Sequence, residues 1–323
     1  MKLWGVAMAR DEADIIEAFV RHNLSVLDGL SIIDHGSTDG TGEILASLAK
    51  EGLKLTVGHD PSVEFRQSAT ITQLVRHVFA TTDSDYVFLL DADEFLKVPS
   101  RARLDTSLAE LPIGSHAVHA WRNYVPDFAR GLEGIELLKS SRRTMHQARV
   151  SPKAIVSRHF EHSRTLIAEG NHAVVRAIGA EADPPVRHVS LSAEDCVVAH
   201  VPVRSAQQFA AKVAVGWLAC LMQPGRAQGL SSHWRESYAN LRAGVPLSPA
   251  LLTMIAANYG VPINDWFPSA SIQLVDDPFL ADIRLTHHEA RRTNALALIL
   301  RFGERLAERV AASAENARPG MSA

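Results

Sequence analysis

Cysteine is scarce in this sequence, which contains only Cys196 and Cys220 among its 323 residues. Each lies in an apolar run, and neither has a CxxC partner or a neighbour at a spacing typical of metal ligands. The scarcity excludes a disulfide framework and a cysteine-based zinc site. We expect both residues to be buried thiols in a reducing compartment, without a chemical role.

An excess of charge of one sign is also missing. The chain has 33 Lys and Arg residues against 36 Asp and Glu residues, which gives a formal net charge of -3. A balance of this kind produces no global field for nucleic acid or for an anionic membrane surface. We therefore expect no nucleic-acid partner, and any anion-binding site has to be local.

Long hydrophobic runs are missing as well. The stretch "VAVGWLACLMQPG" (213–225) is shorter than the roughly 20 apolar residues that cross a bilayer. The apolar run between Lys2 and Arg10 is too short for a secretory signal. We therefore expect a cytoplasmic protein without a transmembrane segment.

Apolar runs alternate with helically spaced apolar residues through the first hundred residues. Strands are predicted at "LWGVAM" (3–8), "LSIID" (30–34), "LKLTVG" (53–58) and "YVFLL" (86–90). The alternation predicts an α/β fold with a Rossmann-type, mostly parallel sheet that is flanked by helices. Ligands of such sheets bind beyond the carboxyl ends of the strands.

Polar loops follow the first, second and fourth of these strands. They are "ARDE" (9–12), "DHGSTDGT" (34–41) and "DADEF" (91–95). Because the strands are predicted to be parallel, all three loops should open on the same rim of the sheet. Three motifs that are weak individually therefore predict one site.

The third loop brings together the carboxylates of Asp91, Asp93 and Glu94. Carboxylates this close repel one another unless a cation or hydrogen-bond donors lie among them. An Asp-x-Asp pair at a strand end can bind Mg²⁺ or Mn²⁺ together with a diphosphate. The alternatives are a solvated turn, and for Glu94 a role in bracing that turn. An EF-hand is excluded, because Phe95 occupies its third ligand position and Leu96 its required glycine position.

The second loop is not a phosphate-binding P-loop, since it lacks the Gly-Lys-Ser/Thr ending, and its glycines miss the dinucleotide spacing. Asp34, at the strand end, can accept hydrogen bonds from a base or a ribose. The backbone N-H groups of the turn tolerate a nearby phosphate. The alternative interpretation is a structural turn in which Asp39 or Thr41 caps the next helix.

Two segments resemble a known family. They are "MARDEADIIEAFVRHNLSVLDGLSIIDHGSTDGT" (8–41) and "DSDYVFLLDADEFL" (83–96), which are similar to family 2 glycosyltransferases of the GT-A fold, in particular the branch of family 92-like proteins. Later segments resemble that branch with lower specificity: "KAIVSR" (153–158), "EGNHAVV" (169–175) and "VVAHVPVRSAQQFAAKVAVGW" (197–217).

The resemblance implies a sugar transfer from a nucleotide-sugar donor of UDP type, with inversion and with Mn²⁺ or Mg²⁺ as cofactor. A role in bacterial polysaccharide or glycan synthesis would follow. The acceptor, which the sequence does not identify, would be a glycan, a lipid-linked molecule or a protein.

The resemblance also implies roles for individual residues. The nucleotide pocket would include Arg10, Asp11, Glu12 and Asp34, with Lys153 and Arg204 near the phosphates; the metal ligands would be Asp91, Asp93 and His200. For His200 the alternative is a satisfied core histidine, and for Lys153 a solvated lysine on a strand edge.

The catalytic base is assigned to Glu169 and His172. Gly170 and Asn171 between them predict a tight, exposed turn, which favours this pair over Glu161 and Asp127. An inverting transfer needs such a group within hydrogen-bond reach of the acceptor hydroxyl.

The pattern divides the chain into three parts: a nucleotide-sugar-binding half (1–110), an acceptor and catalytic half of the same domain (111–243) and a helical C-terminal extension (244–323). Ser205 is predicted to cap one helix, and Thr286 with Glu289 to begin the last one. Leu296, Leu300 and Leu306 would be the core contacts of that last helix. Its amphipathic pattern favours packing or homo-oligomer formation.

Two other functions fit parts of the pattern. Haloacid-dehalogenase-like phosphatases also place Asp-x-Asp after an apolar strand, with the first Asp as nucleophile, but on their first strand rather than the fourth. A nucleotide-sugar-binding protein without turnover would carry the same binding residues as an enzyme.

Overall fold

Parallel strands form the N-terminal half of the central sheet in the computed structural model, which describes residues 1–147, 152–222, 232–287 and 293–316. These strands are β1 (Leu3–Ala9), β2 (Gly29–Asp34), β3 (Leu55–His59) and β4 (Tyr86–Asp91), in the order β3-β2-β1-β4. They are connected by the helices α1 (Ile16–Asn23), α2 (Thr41–Lys50) and α3 (Gln67–Thr81). The predicted α/β class is confirmed, and β4 is buried along its apolar run, as its composition predicts.

The second half of the sheet is mixed. Its strands and the helices between them are β5 (Glu94–Lys97), α4 (Arg101–Ala109), β6 (His116–Val125), α5 (Gly134–Ser140), β7 (Arg142–Thr144), β8 (Lys153–Ser157), β11 (His188–Ser190) and β12 (Val197–His200). Strands β9 (Thr165–Ile167) and β10 (Val174–Arg176) form a separate two-stranded antiparallel sheet. Strand β8 lies antiparallel between β4 and β6. Strand β12 runs parallel to β6 and antiparallel to β5.

The part of the chain after β12 is largely helical, but it also adds a strand to the sheet. It comprises α6 (Ala206–Leu221), α7 (Ser232–Arg242), α8 (Pro249–Ala257), β13 (Leu274–Val275) and α9 (Ala295–Asn316). Strand β13 pairs with β7. Short 3₁₀ turns lie at Phe128–Arg130, Arg158–His162, Glu169–Asn171, Ile263–Asp265 and Ser269–Ser271. In the described part of the chain, no helix is both long and apolar enough to cross a membrane.

The two predicted helix starts have different outcomes. Ser205 caps α6 as predicted, because its hydroxyl accepts a hydrogen bond of 3.0 Å from the Gln208 N-H. The start of the last helix at Thr286 is wrong, since α9 begins at Ala295. Glu289, the other half of the predicted cap, lies outside the described residues. The Thr286 N-H instead donates to Glu17, at 2.6 Å.

The apolar face of α9 also differs from the predicted one. Leu296 and Leu300 are exposed, whereas Leu298 and Phe302 are buried. Because 298 and 302 are four residues apart, they share one face of the helix, and that face packs near α6. Both cysteines are buried and neither forms a disulfide within the described residues, so the predicted burial is confirmed.

Asn23, at the end of α1, connects this helix to β5. Its side-chain amide donates to the Glu94 carbonyl at 3.0 Å, and its side-chain oxygen accepts from the Leu96 N-H at 2.9 Å. The residue is fully buried. A single side chain therefore satisfies two backbone groups of the strand that directly follows the Asp-x-Asp loop.

We predict that Asn23→Ala lowers the free energy of unfolding by about 2–4 kcal/mol, because two buried backbone groups would each lose a partner at about 1–3 kcal/mol. Urea denaturation measures the loss as a lower midpoint at an unchanged slope. The control is Asn240→Ala at an exposed position of α7. Equal midpoints for the two variants would contradict this role of Asn23.

Candidate active site

The three polar loops meet at one edge of the sheet, as predicted. Ala9 lies opposite Asp34 in the pairing of β1 with β2, and Met8 lies opposite Asp91 in the pairing of β1 with β4. A cavity of about 450 Å³ opens at this edge. Nine predicted site residues line it: Arg10, Asp11, Glu12, Asp91, Asp93, Lys153, Glu169, His172 and His200. Within the described residues, its wall includes neither Asp34 nor Arg204.

Asp91 is held by donors from three different segments. Its Oδ2 accepts from the Lys153 ammonium at 2.5 Å, and its Oδ1 accepts from the side-chain amides of Gln67 at 3.1 Å and Asn171 at 3.0 Å. Lys153 also donates to the Gly170 carbonyl at 3.1 Å. Asp91 therefore anchors the 3₁₀ turn Glu169–Asn171 beside the cavity.

Glu94 braces the same loop, as expected in the structural alternative. Its Oε2 accepts from the Asp91 N-H at 2.8 Å, and its Oε1 lies 3.0 Å from the Lys153 Nζ. Burial raises the pKa of Glu94 to about 8. Burial disfavours the ammonium of Lys153, but the neighbouring carboxylates of Asp91 and Glu94 raise its pKa above the usual value. The Lys153 side chain is buried, which excludes the solvated alternative.

Asp93 has a different environment, because its side chain is only 2% exposed and faces α6 and β12. Its Oδ2 accepts a short hydrogen bond from the Lys212 ammonium, and its Oδ1 lies 3.6 Å from the Nε2 of His200. Burial opposes ionisation of Asp93, yet Lys212 holds its pKa well below the usual range. The carboxylate is therefore ionised, with one oxygen toward a lysine and the other toward a histidine.

His200 is placed by the pairing of β12 with β5 and β6, which sets it opposite Glu94 and Asn123. Its Nδ1 donates to the Asn123 Oδ1 at 3.0 Å, and its ring stacks on Trp121 at 4.4 Å between centroids. Burial lowers the pKa of His200 to about 3, so the ring is neutral. Because the proton is on Nδ1, the Nε2 presents a lone pair toward Asp93.

The donor set at Asp93 and His200 fits a divalent cation as a pair of ligands. A carboxylate oxygen and an imidazole lone pair face each other at 3.6 Å, without a proton between them. A hydrogen bond to the other ring nitrogen, of the kind that Asn123 accepts, orients a metal-binding imidazole. Among the described residues, neither this site nor any other has three or more His, Cys, Asp or Glu side chains arranged to hold a metal. A cation at this position would need further oxygen ligands from a bound molecule.

Arg204 lies beneath the cavity wall. Its guanidinium forms ion pairs with Glu12 and, at 2.6 Å, with Asp14. Both carboxylates belong to the loop after β1, so Arg204 fixes that loop to the start of α6. Burial raises the pKa of Glu12 to about 7.

Arg10 and Asp11 bind the loops that follow the neighbouring strands. Arg10 donates to the carbonyls of His35 at 2.8 Å and Ser62 at 3.0 Å. Asp11 accepts from the Thr38 N-H at 2.7 Å, and burial raises the pKa of its carboxyl to about 6. Its φ of 55° lies in the left-handed region that Asp adopts at a moderate cost.

Asp34 is buried in the turn after β2. Its Oδ1 accepts from the Ser37 N-H at 3.0 Å, and its Oδ2 lies 3.3 Å from the His59 Nδ1. The described contacts are those of the turn-forming alternative, and contact with a base stays a prediction. The predicted cap at Asp39 or Thr41 is wrong, because the N-cap of α2 is Gly40; Asp39, one residue earlier, accepts from the Thr41 N-H at 2.9 Å.

Glu169 and His172 flank the 3₁₀ turn that Asp91 anchors. Gly170 has a φ of 75°, as the predicted tight turn requires. The His172 Nδ1 donates to the Pro152 carbonyl at 2.9 Å, which leaves its Nε2 as an acceptor. Burial raises the pKa of Glu169 and lowers that of His172. Glu161 and Asp127, the alternatives, do not line the cavity as described.

Several residues of the cavity wall were not expected from the sequence. They are Gln67, Trp121, Gln208, Lys212, Trp234 and Tyr259. For Lys212 a signal exists, because it is the only charged residue in Ala206–Leu221. A lone charge in an apolar helix needs a buried partner, but the sequence does not say which one.

Several solved structures have a similar path of the polypeptide chain. One of them is S. aureus TarS 1-349, which shares 11% identity over 75% of this chain and 71% of that chain, with a TM-score of 0.36. The mannosyltransferase PcManGT from Pyrobaculum calidifontis, in complex with GDP-Man and Mn²⁺, shares 16% identity over 79% and 73%, with a TM-score of 0.35. Glucosyl-3-phosphoglycerate synthase from Mycobacterium tuberculosis shares 17% over 69% and 81%, with a TM-score of 0.34. Scores this low carry no conclusion about donor, metal or acceptor.

A family match gives the more specific result. No curated protein matches the chain with significance. The family described as glycosyl transferase family 2 matches residues 8–100, which contain all three polar loops of the rim. The similarity to this family therefore lies in the parallel half of the sheet and its rim.

Proposed function

We propose that this protein transfers a sugar from a nucleoside diphosphate sugar of UDP type, with a divalent metal ion and with inversion, to a glycan, lipid-linked or protein acceptor. One observation carries the proposal: the two aspartates of the Asp-x-Asp loop serve different parts of one cavity. Asp93 faces His200 and Lys212, whereas Asp91 anchors the turn of Glu169 and His172.

Asp93 and His200 would hold Mn²⁺ or Mg²⁺, and the ion would neutralise charge on the leaving diphosphate. Mn²⁺ accepts nitrogen ligands better than Mg²⁺ does, so the imidazole favours Mn²⁺. Metal binding by Asp91 stays a prediction, because both of its oxygens already accept hydrogen bonds from protein groups.

The turn at Glu169–Asn171 supplies the candidates for the base. In a single displacement, the acceptor hydroxyl gives its proton to a group within hydrogen-bond reach while the diphosphate leaves from the opposite face. The His172 Nδ1 donates to the Pro152 carbonyl, which leaves the Nε2 as an acceptor, and burial raises the pKa of the Glu169 carboxyl, which makes it a stronger base.

A phosphatase of the haloacid-dehalogenase type is disfavoured. Its nucleophile would be Asp91, whose two carboxylate oxygens accept three hydrogen bonds from protein donors. The family match over residues 8–100 points the same way. Hydrolysis of p-nitrophenyl phosphate without release of UDP from any UDP-sugar would reverse this preference.

We expect the parent protein to release UDP slowly from a UDP-sugar in the presence of Mn²⁺, and Asp93→Asn to lose the stimulation by Mn²⁺. Asp91→Asn should also lower turnover, because the turn loses its anchor, but should keep Mn²⁺-dependent UDP binding. A coupled UDP-release assay and calorimetry measure the two effects. The control is Asp83→Asn, at an exposed position. Unchanged turnover in both variants would contradict the proposed mechanism.

His200→Ala should weaken Mn²⁺-supported UDP binding by about tenfold or more, since it removes the nitrogen ligand. UDP affinity with and without Mn²⁺, together with the unfolding temperature, tests this. His77→Ala, at an exposed position of α3, is the control. A variant that unfolds earlier but keeps normal Mn²⁺ dependence would instead support the core-histidine alternative.

Glu169→Gln and His172→Gln identify the base. Loss of the base should lower kcat by about 10²- to 10⁴-fold, whereas UDP affinity should change little, because the base contacts the acceptor rather than the nucleotide. Glu161→Gln is the matched control outside the cavity. If neither variant at the turn lowers kcat, the base lies elsewhere in the protein.

A further inference from the structure

Lys212 is a cation on the cavity wall that the metal-based proposal does not use. It is the only charged residue of α6, its side chain is 20% exposed, and it lines the cavity. Its Nζ donates to the Asp93 Oδ2 and lies 3.8 Å from the Glu12 Oε1. The lysine therefore occupies one oxygen of the carboxylate whose other oxygen faces His200.

The two carboxylate oxygens of Asp93 therefore have different surroundings. The Oδ1 side, with His200, offers ligand atoms to an ion, whereas the Oδ2 side already has a permanent positive charge. An ammonium group has three N-H donors, and among the described residues Asp93 accepts the only hydrogen bond from Lys212. The other two N-H donors of the Lys212 ammonium lie at the cavity wall, where an anionic ligand can reach them.

We propose that Lys212 is a diphosphate-binding residue, a built-in cation that supports nucleoside diphosphate binding when no divalent ion is present. The inference rests on the proposed function, because it takes the cavity to be the site of a nucleotide-sugar. The charge of Lys212 is shared between Asp93 and the phosphates. Removal of the Asp93 charge should therefore make Lys212 a stronger phosphate ligand, not a weaker one.

The test is UDP binding, measured by calorimetry in EDTA and again in Mn²⁺, with GDP as a second probe. In EDTA the parent should bind UDP measurably, and Lys212→Met should weaken that binding by about tenfold or more. Asp93→Asn should bind UDP more tightly than the parent in EDTA, although it loses the gain that Mn²⁺ provides. Lys139→Met, which removes an exposed lysine of α5, is the matched control and should bind as the parent does.

Two further variants keep the test decisive if Lys212→Met fails to fold with Asp93 unpaired. The double variant Lys212→Met with Asp93→Asn removes both charges, and its UDP binding in EDTA should be about tenfold or more weaker than that of Asp93→Asn alone. Lys212→Arg keeps the charge and should retain most of the binding in EDTA.

The possible failures are distinguishable. If the parent binds UDP in Mn²⁺ but not in EDTA, or if Lys212→Met binds as the parent does in EDTA, the role of Lys212 is overturned and the proposed function stands. Tighter binding by the parent than by Asp93→Asn in EDTA would overturn it too. If neither UDP nor GDP binds under any condition, the proposed function itself fails, and the inference fails with it.

Discussion

Two lysines, the buried Lys153 and the partly exposed Lys212, determine the environment of the Asp-x-Asp loop. Carboxylates at the end of a buried strand repel each other and lose hydration, so they stay ionised only where cations compensate them. Lys153 does this for Asp91 and Lys212 for Asp93. The lysines come from β8 and α6, on different sides of the loop, so they also separate the environments of the two aspartates.

The topology of the sheet makes the two ion pairs possible. An antiparallel β8 next to β4 brings the Lys153 end of that strand to the rim, where the parallel strands end. Strand β12 between β5 and β6 carries His200 to Asp93, and α6 then follows directly and positions Lys212. The mixed half of the sheet therefore supplies cationic and imidazole groups to a rim that the parallel half lines with carboxylates.

The parallel half and its rim could be predicted from the sequence, because apolar runs and polar loops of this kind are local patterns. The partners could not, since Lys153 is 62 residues from Asp91 and Lys212 is 119 residues from Asp93. The start of α9 was missed for a similar reason. Thr286 resembles a helix cap locally, but the buried carboxylate of Glu17, 269 residues away, binds its backbone N-H. Local sequence patterns predict helices and strands. Long-range ion pairs and hydrogen bonds determine where a helix begins and which partners the side chains of a site have.

The same dependence on distant groups applies to the loop after β2, which a family pattern treats as a self-contained motif. Arg305 of α9 donates to the carbonyls of Gly36 and Pro61, and Arg301 donates to the Thr38 carbonyl. Gly36 has a φ of 62°, and a Cβ at this position would overlap the Arg305 guanidinium. The backbone conformation therefore favours glycine, and a side chain at this position would displace the Arg305 guanidinium from the loop. This side of the rim is held by α9 as well as by the motif itself, so a short motif defines which groups are present but not the geometry in which they are held.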